Sequence, residues 1–277
     1  MTDTQRIHGP LLLGSSGRVG RALRAVADAG LWPGPRPLFH ARAGGDIAFD
    51  LTGPIPDLPP VQGVVILAGV TSGPAEELAR NTTLARAGLA LARDRGLGRA
   101  LVISSAGVYG RRDDPCAEDD ALHPGTDYGR AKRDMETAVA APGVTCLRLA
   151  NVAGCDALFA AAARGPVRLD RFPDGTGPSR VWIGPVTLAR VLVTLLAHPG
   201  PLPAILNVAA PNPLTMAEVL DAIPHPYHFA PAPEGALHRL ALDTRRLAAL
   251  MPLPPVSAAD LLAEARSGGW SPAPAAP

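Results

Sequence analysis

Aromatic residues are scarce in this chain: five Phe, three Trp and three Tyr make up 4% of 277 residues, while alanine and proline abound. The imbalance reads as a coding-sequence bias and not as disorder, because apolar periodicity persists along the chain. Cysteine is scarce too. Cys116, Cys146 and Cys155 have no ligand-like spacing and cannot all pair with one another, so free thiols in a reducing cytoplasm are expected. Neither charge is in excess: 26 Lys and Arg face 25 Asp and Glu, for a net charge of +1. That balance argues against a dedicated nucleic-acid or membrane-surface binder. Long apolar runs are missing as well. The opening MTDTQRIHG lacks the apolar stretch of a signal peptide, and 186–197 is too short for a bilayer and carries Arg190. A soluble protein acting on a small molecule is expected, with 47% apolar residues to build its core.

Some chemical signatures are absent. No Walker-type Gly-Lys-Ser/Thr occurs, and Gly69-Val70-Thr71-Ser72-Gly73 has Thr where a nucleophile elbow needs Ser. His225, His228 and His238 lie in a proline-rich stretch with no nearby Cys or acidic cluster, so no metal site is expected.

What the chain does have is alternation. Strands are expected at 10–13, near 37–41, near 46–51, and at 61–68, 99–104, 144–150 and 204–209. Helices are expected at 18–29, 75–95, from Tyr128 to Val139, and at 185–197, 214–223 and 258–267. Uniformly apolar strands alternating with helices indicate a parallel sheet covered on both faces, a doubly wound α/β fold. Beyond residue 154 the order loosens.

Gly14-Ser15-Ser16-Gly17-Arg18-Val19-Gly20 follows the first strand and opens the first helix. Glycines there permit a tight turn and close backbone approach, and the helix N-terminus offers free N–H groups to a pyrophosphate. NAD sites of this kind place an acid about 20 residues on, to hold the ribose 2′-hydroxyl. Here that neighbourhood reads Leu38-Phe39-His40-Ala41-Arg42, without an acid. Arg42, helped by Arg18, suits a 2′-phosphate, which favours NADP over NAD; Arg42 as a plain solvated arginine is the alternative.

Tyr128 and Lys132 stand one helical turn apart, with Ser105 upstream. Positions i and i+4 share a helix face, roughly 5–6 Å apart at Cβ. An ammonium that close is expected to draw the phenol down from about 10 toward working pH, fitting Tyr128 for proton transfer to a substrate oxygen.

Together these residues resemble the extended short-chain dehydrogenase/reductase family, also called the NAD-dependent epimerase/dehydratase family. The resemblance runs on through Asp50-Leu51, Leu67-Ala68-Gly69, Asn81 and Ser104-Ser105-Ala106-Gly107-Val108-Tyr109-Gly110. Glu118-Asp119-Asp120, Pro124, Tyr128-Gly129, Lys132, Glu136, Leu147-Arg148 and Asn151-Val152-Ala153-Gly154 continue it in order, followed more weakly by Leu206-Asn207-Val208 and Asp243-Thr244. It implies a Rossmann-type fold with a small, reduced substrate-binding cap. The dinucleotide domain would comprise 1–153 and 185–210, and the cap 154–184 and 211–277. It also implies Tyr128 as general acid/base, Lys132 on the nicotinamide ribose, and Ser105 on the reacting oxygen. Asp50, Leu51, Ala68, Gly69 and Asn81 would line the cofactor site, Asn151 and Arg180 the substrate site. A homodimer through the helices at 75–95 and 128–140 is a further implication.

The chain departs from the family pattern in four places. Leu13 and Arg18 replace a Thr and an aromatic around the glycines, and 154–180 is short. Arg180-Val181-Trp182-Ile183-Gly184-Pro185-Val186-Thr187 keeps the arginine of the family's Arg-Asp-Tyr-Val-His-Val-Asp-Asp but loses its acidic pair. The second phosphate-clamping arginine is not evident in 224–234, leaving Arg164, Arg168 and Arg171 as candidates to replace it. The expected function is an NAD(P)-dependent reductase or epimerase acting on a sugar, nucleotide-sugar or similar molecule. The alternative is a non-catalytic NADP-sensing regulator of the same fold.

Overall fold

The computed structural model describes residues 8–112 and 114–272. The outermost parts of the expected domain division, 1–7 and 273–277, lie outside the described residues, as does residue 113. The first half runs β1 (Leu11–Leu13), α1 (Arg18–Asp28), β2 (Leu38–Ala41), β3 (Ile47–Ala48), β4 (Val64–Ile66), α2 (Ala75–Asp94), β5 (Ala100–Ser105), α3 (Asp127–Val139) and β6 (Val144–Leu149). Then come β7 (Asn151–Val152), α4 (Ala157–Ala162), β8 (Val167–Arg171), β9 (Ser179–Ile183), α5 (Pro185–Ala197) and β10 (Ile205–Val208). β11 (Pro213–Thr215), α6 (Met216–Ala222), β12 (Tyr227–Pro231), β13 (Arg239–Leu240), α7 (Arg245–Leu250) and α8 (Ala258–Ser267) complete it.

Seven strands form one all-parallel sheet in the order β10-β6-β5-β4-β1-β2-β3. Its side chains alternate between two buried layers, as the two-residue strand period requires. Leu12, Phe39, Val65, Leu101, Leu147 and Leu206 pack under α1 and α5. Leu11, Leu13, Val64, Ile66, Val102 and Cys146 pack under α2 and α3. Both faces are thus covered, which is why these strands read as continuous apolar runs. The strand order reverses at the β1/β4 neighbours, and open sheets of this type bind ligands in the crevice there.

β3 and β4 are shorter than expected. The prolines at 54, 56, 59 and 60 have no N–H to give a ladder, and Val61 makes only an isolated bridge, to His8. From residue 151 on the structure contains elements that were not anticipated: β7, α4, β8, β9, β11, β12, β13 and α7. β9 is central to a small second sheet, flanked by β11 and β13 and paired with β7, while β8 pairs with β12. Trp182, Phe159, Leu220 and Leu261 centre a separate apolar cluster beneath these strands. α8 packs on α6 and also on α5 and α1, joining cap to sheet. Its Glu264 carboxylate accepts from the Thr187 N–H at 2.8 Å and the Thr187 hydroxyl at 2.6 Å, satisfying the start of α5.

All three cysteines are buried and unpaired. Among the described residues no helix is long and apolar enough to cross a membrane, and no three His, Cys, Asp or Glu side chains converge as a metal site.

Candidate active site

A cleft of about 650 Å³ opens at the carboxyl ends of β1, β4, β5 and β6. Its walls include Gly14, Gly17, Arg18, Val19 and Gly20, then Leu67, Gly69, Thr71, Asn81, Ser105, Tyr128, Lys132, Asn151, Asp156 and Arg180. Residues far apart in sequence meet here because parallel strands deliver their ends to one edge.

The glycine loop is built by close approach. Gly14 has φ +87°, and a Cβ on it would lie 2.4 Å from the Ala68 Cα. A Cβ on Gly20 would lie 2.4 Å from the Ser15 Cα, so α1 can start where it does only with glycine there. Ser15 is buried and its hydroxyl donates to the His40 carbonyl at 2.8 Å, so this side chain braces the loop and is turned away from a ligand. His40 is also buried: Nδ1 accepts from the Gly14 N–H at 3.2 Å, and Nε2 meets the Phe49 carbonyl at 3.1 Å. Burial lowers its pKa, so the ring is neutral, with Nε2 as the donor.

Gly17 caps α1 without any side-chain hydrogen bond, and no acid occupies the first turn. The N–H groups of Arg18, Val19 and Gly20 find no acceptor among the described residues. A Cβ on Gly17 would meet nothing nearer than 3.7 Å. Unsatisfied donors, a positive dipole end and open space fit a pyrophosphate. The residues present therefore suit a dinucleotide.

Ser105 ends β5, and its Oγ accepts from the Gly107 N–H at 3.1 Å. α3 begins at a Thr126 cap whose Oγ accepts from the Gly129 N–H at 3.1 Å. Gly129 lets that helix approach the Ser105 loop: a Cβ there would lie 2.5 Å from the Gly107 carbonyl oxygen. Tyr128 is thereby brought into one cleft wall with Ser105. Lys132 is almost fully buried; its Nζ donates to the Ile103 carbonyl at 2.8 Å and sits 5.9 Å from the Tyr128 ring centroid.

The electrostatics correct one expectation. The Tyr128 pKa is raised, by burial first, against smaller lowering by the Ser105 hydroxyl and the Arg18 charge. Lys132 does not draw it down, because its ammonium faces the β5 backbone instead of the phenol oxygen. Burial lowers Lys132 itself to about 8, against Cys146 and Glu136. In the free protein Tyr128 holds its proton at neutral pH.

Below the cleft runs a buried polar chain. The Ser104 hydroxyl donates to Glu136 at 2.5 Å, and Glu136 pairs with Arg148 at 2.8 Å, both acid and base being 5% exposed. Arg148 donates to the Tyr109 hydroxyl at 2.9 Å and to the Glu118 carbonyl at 3.0 Å. Tyr109 donates to Asn207 at 2.7 Å, and the Asn207 N–H donates to the Glu118 carboxylate at 3.0 Å. Every charge here is paired, as burial demands. The chain fixes the ends of β5, β6 and β10, and with them Ser105 and Lys132.

At the cap end, Arg180 donates to the carbonyls of Ser179 at 2.7 Å, His238 at 2.9 Å and Leu237 at 2.7 Å. It has no ion pair among the described residues, and burial lowers it to about 10, leaving it charged. Asn151 donates from Nδ2 to Asp156 at 2.7 Å, and Asp156 also caps α4 through the Phe159 N–H at 3.0 Å. Burial pushes the Asp156 carboxyl up to about 6. Sequence reasoning missed Asp156; the Cys-Asp-Ala-Leu-Phe run does carry a legible cap signal, an Asp opening an apolar stretch.

Not every expected residue joins the cleft. Asn81 lines it, yet its amide is spent: Oδ1 accepts from the Val70 N–H at 3.2 Å and Nδ2 donates to the Val70 and Leu78 carbonyls. Ala68 lies behind the wall, against Gly14, and Leu51 is buried in the sheet's α2 layer. The exposed Asp50 carboxylate accepts from the Thr52 N–H and hydroxyl, and Arg42 lies within its electrostatic reach. Ser16 is exposed at the loop's rim, its carbonyl accepting from Arg21. Neither Arg42 nor Asp50 is in the cleft wall.

The sequence matches the NAD dependent epimerase/dehydratase family over residues 53–209. Direct comparison with curated proteins gives no match. Among solved structures, UDP-glucose 4-epimerase from Brucella ovis in complex with NAD is similar at 19% identity and TM-score 0.75, covering 96% of this chain and 99% of that one. DesIV, a dTDP-glucose 4,6-dehydratase from Streptomyces venezuelae with NAD and TYD bound, gives 20% identity and TM-score 0.72, with 94% and 96% covered. MoeE5 in complex with UDP-glucuronic acid and NAD gives 19% and 0.71, with 94% and 98% covered. Likeness at this level of identity concerns the fold, which is the Rossmann-type architecture expected. NAD is the dinucleotide in these three structures, so they lend the expected NADP preference no support.

Proposed function

The chain belongs to the NAD dependent epimerase/dehydratase family, and on that premise we propose that it transfers hydride at a secondary alcohol or carbonyl of a sugar, nucleotide-sugar or similar small molecule. The observation that carries this reading is the convergence of Ser105, Tyr128 and Lys132 on one cleft with the glycine loop. The loop's free N–H groups would hold the pyrophosphate of a nicotinamide dinucleotide, with Lys132 toward its ribose. When bound, that group supplies or accepts the hydride. Ser105 orients the reacting oxygen, and Tyr128 gives it a proton in the reductive direction or takes one in the oxidative direction. Tyr128, protonated in the free chain, is ready for the first role.

The dinucleotide-binding part would be 1–153 with 185–210, and 154–184 with 211–277 would form the cap. Arg180, charged and without a carboxylate partner, suits a substrate phosphate or carboxylate. A nucleotide-sugar accords with the UDP- and dTDP-linked ligands and names of the similar structures. Arg42 remains the residue to test for a 2′-phosphate, although Asp50 nearby offsets its charge. The buried thiols suit a reducing cytoplasm. A homodimer through α2 and α3 would cover a groove lined by Leu89, Ala138 and the arginines Arg86 and Arg93; light scattering decides whether it forms.

The test is Tyr128→Phe. It should abolish turnover of UDP-glucose, UDP-glucuronic acid or dTDP-glucose, whichever the native chain accepts, and leave dinucleotide affinity within about twofold. Unchanged turnover would sink the acid/base assignment. Binding without turnover of any carbonyl or alcohol substrate would favour the NADP-sensing regulator.

A further inference from the structure

α1 carries three arginines in its first two turns, and two are satisfied. Arg21 donates to the Ser16 carbonyl at 2.5 Å, and Arg24 pairs with Asp46 at 2.9 Å. The Arg18 guanidinium has neither hydrogen bond nor ion pair among the described residues, although it stands in the cleft wall. It shares that wall with Tyr128, Cys155 and Asp156, and its carbonyl accepts from the Cys155 thiol at 3.6 Å, which sets the residue at the reacting end of the cleft. On the same cleft, the Lys132 ammonium is held by a neutral carbonyl. Asp156 is the one acidic side chain among the described wall residues, against Arg18, Arg21, Lys132 and Arg180. Its two oxygens are already engaged by Asn151 and the Phe159 N–H.

A nicotinamide ring is positively charged when oxidised and neutral when reduced. Its place in hydride exchange is beside Tyr128. We propose that Arg18 is a redox-selective cofactor contact: with Lys132 it makes the reacting end electropositive, so the cleft holds the reduced dinucleotide in preference to the oxidised one. This rests on the dinucleotide reading above and adds a direction to it. An excess of fixed cations favours the state in which the ring has gained its hydride, and it opposes simple exchange of oxidised dinucleotide from solution.

The experiment is calorimetric titration of the whole chain with NADH, NAD, NADPH, NADP and ADP-ribose, for the native protein and for Arg18→Leu and Arg18→Lys. In the native protein the reduced member of each pair should bind more tightly. Arg18→Leu should reduce the reduced-to-oxidised affinity ratio about fivefold, the size expected of one cation acting through a half-exposed cleft. Arg18→Lys should keep most of the ratio, and ADP-ribose, which lacks the ring, should bind all three proteins alike. An unchanged ratio in Arg18→Leu overturns the inference. Equal weakening of all ligands, ADP-ribose included, also overturns it and makes Arg18 a pyrophosphate contact. If no dinucleotide binds the native chain, the dinucleotide reading itself fails, a result separate from either. Arg18 is exposed, so thermal midpoints should match and show that the variants are folded.

Discussion

Replacing Asp156 with Asn should stabilise the protein at neutral pH and destabilise it by about 1 kcal/mol in acid. The carboxyl titrates at about 6 in the folded chain against a reference of 3.8, because burial outweighs its bonds from the Phe159 N–H, Asn151 and Leu158 N–H and the pull of Arg18. Below about pH 4 the group is neutral in both folded and unfolded chains, and its ionisation costs the fold nothing. Between these values the unfolded chain loses the proton first, and above 6 the folded chain must hold a buried charge. Stability contributed at this position therefore falls as pH rises from 4 through 6. Roughly two pH units at 1.36 kcal/mol each give about 3 kcal/mol as the upper bound of the cost at neutral pH. Asn caps a helix about as well as Asp, so the α4 cap survives. Its amide must turn Oδ1 to the Phe159 N–H, which sets its Nδ2 against that of Asn151 until Asn151 flips. That adds a pH-independent loss of about 1 kcal/mol. Urea unfolding of both proteins from about pH 4 to 8 should show a stability difference that rises from about pH 4 and levels off above about 6. A flat difference, or one that grows toward acid, would refute the reasoning.

Other outcomes follow from the same geometry. Arg148→Met should destabilise by about 3–5 kcal/mol in denaturant unfolding, because it strands the buried Glu136 carboxylate. Gly20→Ala should cost about 1–3 kcal/mol and abolish dinucleotide binding in calorimetry, since the new Cβ meets the Ser15 backbone. An ultraviolet pH titration of the protein should show phenolate forming only above the ordinary tyrosine range: burial raises Tyr109 to about 12, burial raises Tyr128, and the Asp221 hydrogen bond raises Tyr227. A thiol reagent should leave the folded chain unmodified and react three times on unfolding, because burial lifts Cys116 to about 11 and Cys146 and Cys155 to about 12.

The parallel sheet was legible because a buried parallel strand leaves an unmistakable apolar run, and helix spacing separates the runs. Leu11–Leu13, Val64–Ile66 and Ala100–Ser105 are such strands. The cap was not legible, for two reasons. Its strands are short, from two residues in β7 to five in β9, and they pair with segments far away in sequence. β8 does alternate, with Val167 and Leu169 buried and Arg168 exposed, but five residues of alternation set among prolines and glycines carry little weight alone. Asp156 escaped for a related reason. An Asp before an apolar helix announces a cap, and only the fold shows that this cap also faces a ligand cleft.

Tyr128 and Lys132 show where motif reasoning stops. Helical spacing placed both side chains on the right face, and both line the cleft. Spacing is silent on which acceptor a lysine chooses once its charge is buried. A desolvated ammonium takes the strongest fixed acceptor in reach, and here that is the Ile103 carbonyl at the end of β5. The phenol is then left with burial as its dominant influence and keeps its proton. The cation whose field does reach it, Arg18, comes from the glycine loop, at a position where the family resemblance had led one to expect an aromatic ring. The proton affinity of Tyr128 is therefore set jointly by the glycine loop and α3, two segments far apart in sequence. A substitution at Arg18 should consequently act on ligand charge and on proton transfer together, whereas the Tyr–Lys spacing taken alone would assign both effects to Lys132.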